Sequence, residues 1–343
     1  MSTATGPGEL SLAQALNAAL RDAMGDDDRV LVFGEDVGAL GGVFRITDGL
    51  TAKFGEERCF DTPLAEAGIV GLAVGLAMGG LRPVVEMQFD AFAYPAFEQI
   101  ASHVAKLRNR TRGALPMPMV IRVPFAGGIG GVEHHCDSSE AYYAHTPGLK
   151  VVTPATVEDA YWLLRDAIAD PDPVVFLEPK RLYWSRERVD LTTRSAGPMG
   201  RAAVRRAGTD ATLAAYGPTV PLALQAAEAA AADGISLEVV DLRTIVPFDD
   251  ETLMRSVRRT GRCVVVQEAQ GFAGVAAEIA ARVQERCFHS LAAPVLRVTG
   301  FDIPYPPPKL EHAHLPTVDR ILDAVDRLQF DDEPDLRHTG MAA

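Results

Sequence analysis

The sequence is poor in cysteine, and the four it has, Cys59, Cys136, Cys263 and Cys287, form no CxxC pair and no metal-ligand spacing. With no disulfide framework or zinc ribbon in view, reduced thiols in a cytoplasm are the simplest reading. Basic residues are outnumbered, 33 against 46 acidic, for a formal charge of −13. That balance argues against nucleic acid and against an anionic membrane as partners. A membrane span is missing as well, because the uncharged run between Glu66 and Arg82 falls short of the about 20 apolar residues a spanning helix needs. Met1 to Glu9 has neither the basic nor the apolar region of a secretory signal. Residues 1–10 and 331–343 are expected to be flexible tails. GxGxxG is incomplete, which counts against a nicotinamide-dependent dehydrogenase.

What is present is a globular chain of 343 residues, 48% hydrophobic and 23% charged, with room for two domains. Ser11 starts a helix through a capping box with Gln14. Beyond it, apolar strand-like runs alternate with helical ones. In the second half the predicted strands are Ala211 to Tyr216, Leu237 to Leu242, Cys263 to Gln267 and Val295 to Val298. The helices between them are Pro221 to Ala232, Asp250 to Thr260 and Val275 to Phe288. Such alternation means an α/β fold with mostly parallel sheets. The pattern breaks from Ser185 to Gly200, which places one domain at 11–190 and a second at 201–330.

The stretch from Phe60 to Phe97 carries the strongest signal. Thr62 reads as a helix N-cap and Pro63 as the first helical residue, so Glu66 falls in the first turn of a helix that follows a strand. Ligands of parallel sheets bind at that end. A carboxylate in an apolar run, with Leu64 and Ile69 as walls, is costly unless it is used; the plainer reading is a helix-start carboxylate favoured by the macrodipole. Gly68, Gly71, Gly75 and Gly79 imply that another backbone comes close to this helix. A strand from Val84 ends at Gln88, and a helix from Pro95 to Arg108 is entered through Phe92, which brings Glu66, Gln88 and Phe92 together.

Ala126 to His135 is a glycine-rich loop able to approach a ligand. His134 and His135, next to Cys136 and Asp137, lack the spacing of a zinc site. One of the histidines suits proton transfer, against the alternative of an ordinary loop histidine.

Six ordered motifs resemble one family. They are Phe33-Gly34-Glu35-Asp36-Val37-Gly38, Gly41-Gly42-Val43-Phe44, Phe60-Asp61-Thr62-Pro63-Leu64-Ala65-Glu66, Glu86-Met87-Gln88-Phe89, His145-Thr146-Pro147-Gly148-Leu149-Lys150 and Asp241-Leu242-Arg243-Thr244. Together they look like the β subunit of the decarboxylating component of 2-oxo acid dehydrogenase complexes. The resemblance implies a transketolase-type pyrimidine-binding domain and a transketolase C-terminal domain. It also implies thiamine diphosphate shared with an α subunit in an α2β2 heterotetramer, with Mg2+ held by the α subunit. This chain lacks a Gly-Asp-Gly segment followed by paired asparagines for a magnesium diphosphate, in keeping with that division.

By the same resemblance, Glu66 hydrogen-bonds the aminopyrimidine ring nitrogen and promotes loss of the thiazolium C2 proton. Phe92 stacks on the aminopyrimidine, and Leu64 and Gln88 line it. His135 matches the histidine that serves acyl transfer to the lipoyl domain of a dihydrolipoyl acyltransferase, with Cys136 standing where relatives have serine. Asp170 and Asp172 fall in the segment matching a monovalent-cation site, for K+. Glu133-His134-His135 and Pro179 to Trp184 look closer to branched-chain members, so 2-oxoisovalerate leads pyruvate as the expected substrate. The alternative from another class is a non-catalytic docking subunit, which the joint presence of Glu66, Phe92 and His135 disfavours.

Overall fold

The computed structural model describes residues 7–328. In chain order the strands are β1 (Gly8–Ser11), β2 (Val30–Gly34), β3 (Cys59–Asp61), β4 (Arg82–Glu86), β5 (Val120–Phe125), β6 (Lys150–Val152), β7 (Val174–Pro179) and β8 (Arg186–Val189). The second half adds β9 (Ala203–Arg206), β10 (Ala211–Ala215), β11 (Leu237–Asp241), β12 (Thr244–Val246), β13 (Cys263–Gln270) and β14 (Leu296–Gly300).

Two sheets organise them. One has the order β12-β6-β7-β5-β4-β2-β3 and is parallel apart from β12; the other, β14-β13-β10-β11-β9, is parallel apart from β9. Helices cover both faces, which is why β2, β5 and β7 are buried along their whole length. One apolar cluster runs through both halves, from Val85 and Ile121 to Val240 and Ile279. The two halves are also stitched in the backbone, because β12 follows β11 in the chain yet pairs with β6 of the first sheet.

Several local expectations hold in detail. The Ser11–Gln14 capping box is present in both directions, at 3.2 and 2.9 Å. The segment Asp250–Thr260 is helical at the expected residues.

Other expectations are corrected. Gly8 to Leu10, assigned to a flexible tail, lie in β1, which pairs antiparallel with β8; residues 1–6 and 331–343 lie outside the described residues. Thr62 does not cap a helix, since its N–H bonds the Gly34 carbonyl at 3.0 Å and carries the chain past β3; the helix is Glu66–Met78, entered from Ala65. The fourth strand ends at Glu86, two residues before Gln88. Pro95 to Arg108 is not one regular helix: a 3-10 segment, Ala91–Ala96, passes through a short α-helical turn, Phe97–Gln99, into the π-helical Ile100–Val104. Pro95 has no N–H to give to a regular ladder.

Candidate functional site

The neighbouring strands β5, β4, β2 and β3 all end on the same edge of their sheet, and each carboxyl end leads into a candidate residue. β2 leads to Glu35 and Asp36, β3 to Glu66, β4 to Gln88 and Phe92, and β5 to the loop bearing His135. This is where an open parallel sheet binds its ligands. The Asp61 carboxylate fastens the edge by accepting the Gly38 N–H at 2.6 Å.

Glu66 is the first helical residue and is half-buried, while Leu64 is 79% exposed. Of its two expected apolar walls, only Ile69 is buried. On its inner side stands Glu35, 8% exposed, whose carboxyl is raised above the ordinary range by burial first and by the charges of Glu66 and Asp36 next. Gln88 is oriented by Asp36, its Nε2 donating to Oδ2 at 3.0 Å. The Glu35–Asp36 segment thus meets Gln88 through a hydrogen bond and feels Glu66 through its charge.

Phe92 belongs to an aromatic group around His135. The imidazole meets Phe89 edge-on at 4.4 Å between centroids and Phe92 at 5.2 Å. His134 stacks on Phe92 at 5.9 Å. Burial lowers the His135 pKa, with His134 and Lys180 nearby acting in the same direction, which favours the neutral imidazole. Its Nδ1 is buried with no hydrogen-bond partner among the described residues.

Beneath these rings lie charges that the sequence did not reveal. Lys180 and Asp90 are fully buried, 3.5 Å apart, with the ammonium 5.7 Å from the centre of the Phe89 ring. Desolvation pushes Asp90 up to about 8 against the pull of Lys180, and pushes Lys180 down. Deeper in the sheet, Arg122 bridges Glu86 at 2.5 Å and Glu178 at 2.7 Å. These partners are far apart in sequence, and only the strand order brings them together. For Glu35 a signal did exist: it directly follows a buried strand.

The glycine-rich loop is not open toward a ligand at every glycine. A Cβ on Gly127 would overlap the Tyr305 ring, and one on Gly128 would stand 2.9 Å from the Arg181 side chain. Asp170 and Asp172 are not brought to this site. Lys150 Nζ sits 2.7 Å from Asp170 and 3.3 Å from Asp172, and Arg108 also pairs with Asp172. Arg82 takes the Ile168 carbonyl at 2.8 Å. The Asp170 and Asp172 carboxylates are therefore engaged by the chain's own cations.

A carboxylate, an aromatic face and an amide at the strand ends fit the aminopyrimidine half of a thiamine cofactor, with the buried, unpartnered Oε1 of Glu35 adding polar character behind them. Comparison with known proteins defines the class. Residues 8–185 match the family model of the transketolase pyrimidine-binding domain, and residues 200–321 that of the transketolase C-terminal domain. The chain belongs to the thiamine-diphosphate-dependent family of 2-oxo acid dehydrogenase β subunits.

Among its relatives is the 3-methyl-2-oxobutanoate dehydrogenase subunit beta of Mycobacterium tuberculosis, 57% identical over 93% of this chain and 92% of that one. The pyruvate dehydrogenase E1 component subunit beta of Leifsonia xyli subsp. xyli is 56% identical over 93% and 94%. A solved structure described as a split gene transketolase, inactive beta4 tetramer, superposes with a TM-score of 0.76 at 25% identity over 94% and 98% of the two chains. These findings do not favour a purely docking role.

Proposed function

We propose that this chain is the β subunit of an α2β2 enzyme that oxidatively decarboxylates a branched-chain 2-oxo acid such as 2-oxoisovalerate and passes the acyl group to a lipoyl domain of a dihydrolipoyl acyltransferase. The observation that carries this reading is Glu66, held at the carboxyl edge of the sheet beside Glu35 and open on its outer side. Pyruvate is the second reading, favoured by the relative from Leifsonia xyli at nearly the same identity.

Thiamine diphosphate, when bound, supplies the electron sink for the pair released on decarboxylation. Glu66 would hold a proton at the aminopyrimidine ring nitrogen, Phe92 would offer a stacking face, and Gln88 and Leu64 would line it. Glu35 takes up a proton more readily than an ordinary carboxylate, which limits the negative charge next to Glu66. His135 would exchange a proton during acyl transfer, and its imidazolium gives up the proton more readily than an ordinary one.

The exposed Leu64 and the glycine face of the Glu66–Met78 helix leave room for the α subunit, which would bring the Mg2+ and the diphosphate site and without which the β chain is inactive. A K+ ion at the 167–172 segment would draw on main-chain carbonyls, because the Asp170 and Asp172 carboxylates pair with Lys150 and Arg108. Four buried, unpaired cysteines suit the reducing cytoplasm. No helix among the described residues is long and apolar enough to cross a membrane.

The test is co-expression with an α-type chain followed by an artificial-acceptor assay comparing 2-oxoisovalerate with pyruvate. A higher kcat/KM for 2-oxoisovalerate is expected. Preference for pyruvate moves the assignment to the second reading, and turnover of neither overturns both.

A further inference from the structure

His135 hangs on a glycine-rich loop, yet that loop is tied down by the second half of the chain. The Gly127 N–H donates to the Glu268 carboxylate. The Gly128 N–H donates to Tyr305 Oη at 3.1 Å, and the Gly130 N–H reaches both carboxylate oxygens of Glu311 at 3.2 Å. Tyr305 then donates to Glu311 Oε2 at 3.0 Å, so one phenol accepts from the loop and gives to the group that holds the next turn of it. Burial, together with the neighbouring carboxylates, keeps this phenol protonated.

Packing reinforces the bonds. Arg181 reaches Glu268 at 2.9 Å while lying against Gly128. Cys136, the residue after His135, forms a small buried cluster with Tyr305 and Leu315. Glycine makes such a segment conformationally rich. Three acceptors on successive turns select one arrangement, the one that sets the imidazole against Phe89 and Phe92.

We propose that Tyr305 and Glu311 are positioning residues for His135, and that lipoyl acylation depends on the loop conformation they impose. The inference rests on the reading of His135 as the acyl-transfer residue. A loop that spends only a fraction of its time in the competent arrangement lowers the acylation rate to that fraction of its full value. Decarboxylation, centred on Glu66, does not draw on this loop. The second half of the chain thereby gains a function in the second half-reaction.

The experiment uses the reconstituted α2β2 enzyme with Tyr305→Phe, Glu311→Gln and His135→Ala. It reads amide hydrogen exchange over residues 126–135, kcat and KM for a free lipoyl domain, and decarboxylation with an artificial acceptor. For Tyr305→Phe, exchange at Gly128 to Gly130 should quicken about tenfold and acylation kcat should fall about tenfold. KM and decarboxylation should stay within about twofold. Glu311→Gln keeps an acceptor for the Gly130 N–H and should show the same pattern more weakly; it carries the test if Tyr305→Phe fails to assemble. Unchanged exchange overturns the proposal. So does quickened exchange with full acylation in a preparation where His135→Ala abolishes acylation, an outcome that leaves the role of His135 intact. If His135→Ala itself acylates normally, the reading of His135 falls and the proposal falls with it.

Discussion

Two glycine-rich stretches of this chain look alike in sequence and behave oppositely in the fold. On the Glu66–Met78 helix, a Cβ at Gly71 or Gly75 would meet nothing within 4 Å, and Leu72 and Met78 beside them are exposed. On the loop from Ala126 to His135, the space around Gly127, Gly128 and Gly131 is already filled by Tyr305, Arg181 and Cys136. The sequence predicted close approach of another backbone at the helix and a loop open to a ligand; within this chain the loop is filled and no neighbour reaches Gly71 or Gly75. A glycine marks a place where close approach is useful, but the atoms that approach come from whichever segment packs there. For the loop that segment lies in the same chain. For the helix, in the assembly proposed above, it lies in another.

The largest effect should come from the helix side. Glu66→Gln in the assembled enzyme is expected to cost decarboxylation about a hundredfold or more, measured with an artificial acceptor; near-normal turnover would remove Glu66 from the mechanism. Next comes the anchor at the far end of the loop, where buried Glu140 accepts from Tyr216 at 2.8 Å and is pushed up to about 7 by desolvation from 4.5. A carboxyl raised on folding contributes stability that is complete below about pH 4.5 and is lost as the pH climbs through about 7. Glu140→Gln should therefore abolish a decline of about 3 kcal/mol between pH 5 and 8. Thermal melting at the two pH values reads this, and identical pH dependence in variant and parent would show that Glu140 ionises freely.

Gly127→Ala should destabilise the chain by roughly 1–3 kcal/mol through overpacking against Tyr305. A urea midpoint equal to that of the parent would mean that the loop is not packed as described. Smallest and opposite in sign, Gly71→Ala and Gly75→Ala should each stabilise the isolated chain by up to about 1 kcal/mol. The same changes should weaken assembly with the α subunit, seen as a lower heterotetramer fraction in sedimentation. Full assembly with both alanines would break the contrast between helix and loop.

What was legible in the sequence follows the range of the interactions. Ser11 and the Asp250–Thr260 helix depend on neighbours a few residues away, and they were read correctly. β1, β8, β9 and β12 are short partners of distant segments, and nothing local distinguishes them from loops. Thr62 carried the right residue type for a cap, but the Gly34 carbonyl on a neighbouring strand claimed its N–H. Toward the site, Glu66 and Gln88 stand in the ordered motifs, while Phe92 and His135 were assigned only through the resemblance those motifs carry. Glu35 had a local signal in the buried strand before it, whereas the Asp90–Lys180 pair acquires meaning only once strands that are distant in sequence lie side by side.

β12 carries a consequence for how this polypeptide can be divided. Its three residues, Thr244–Val246, close the edge of a sheet whose other strands all end before residue 180. A fragment containing only the first half would present β6 as a bare, apolar border able to recruit strands from other molecules. No single cut yields two self-sufficient pieces, so the halves share one fate in synthesis, in proteolysis and in any attempt to transplant either of them.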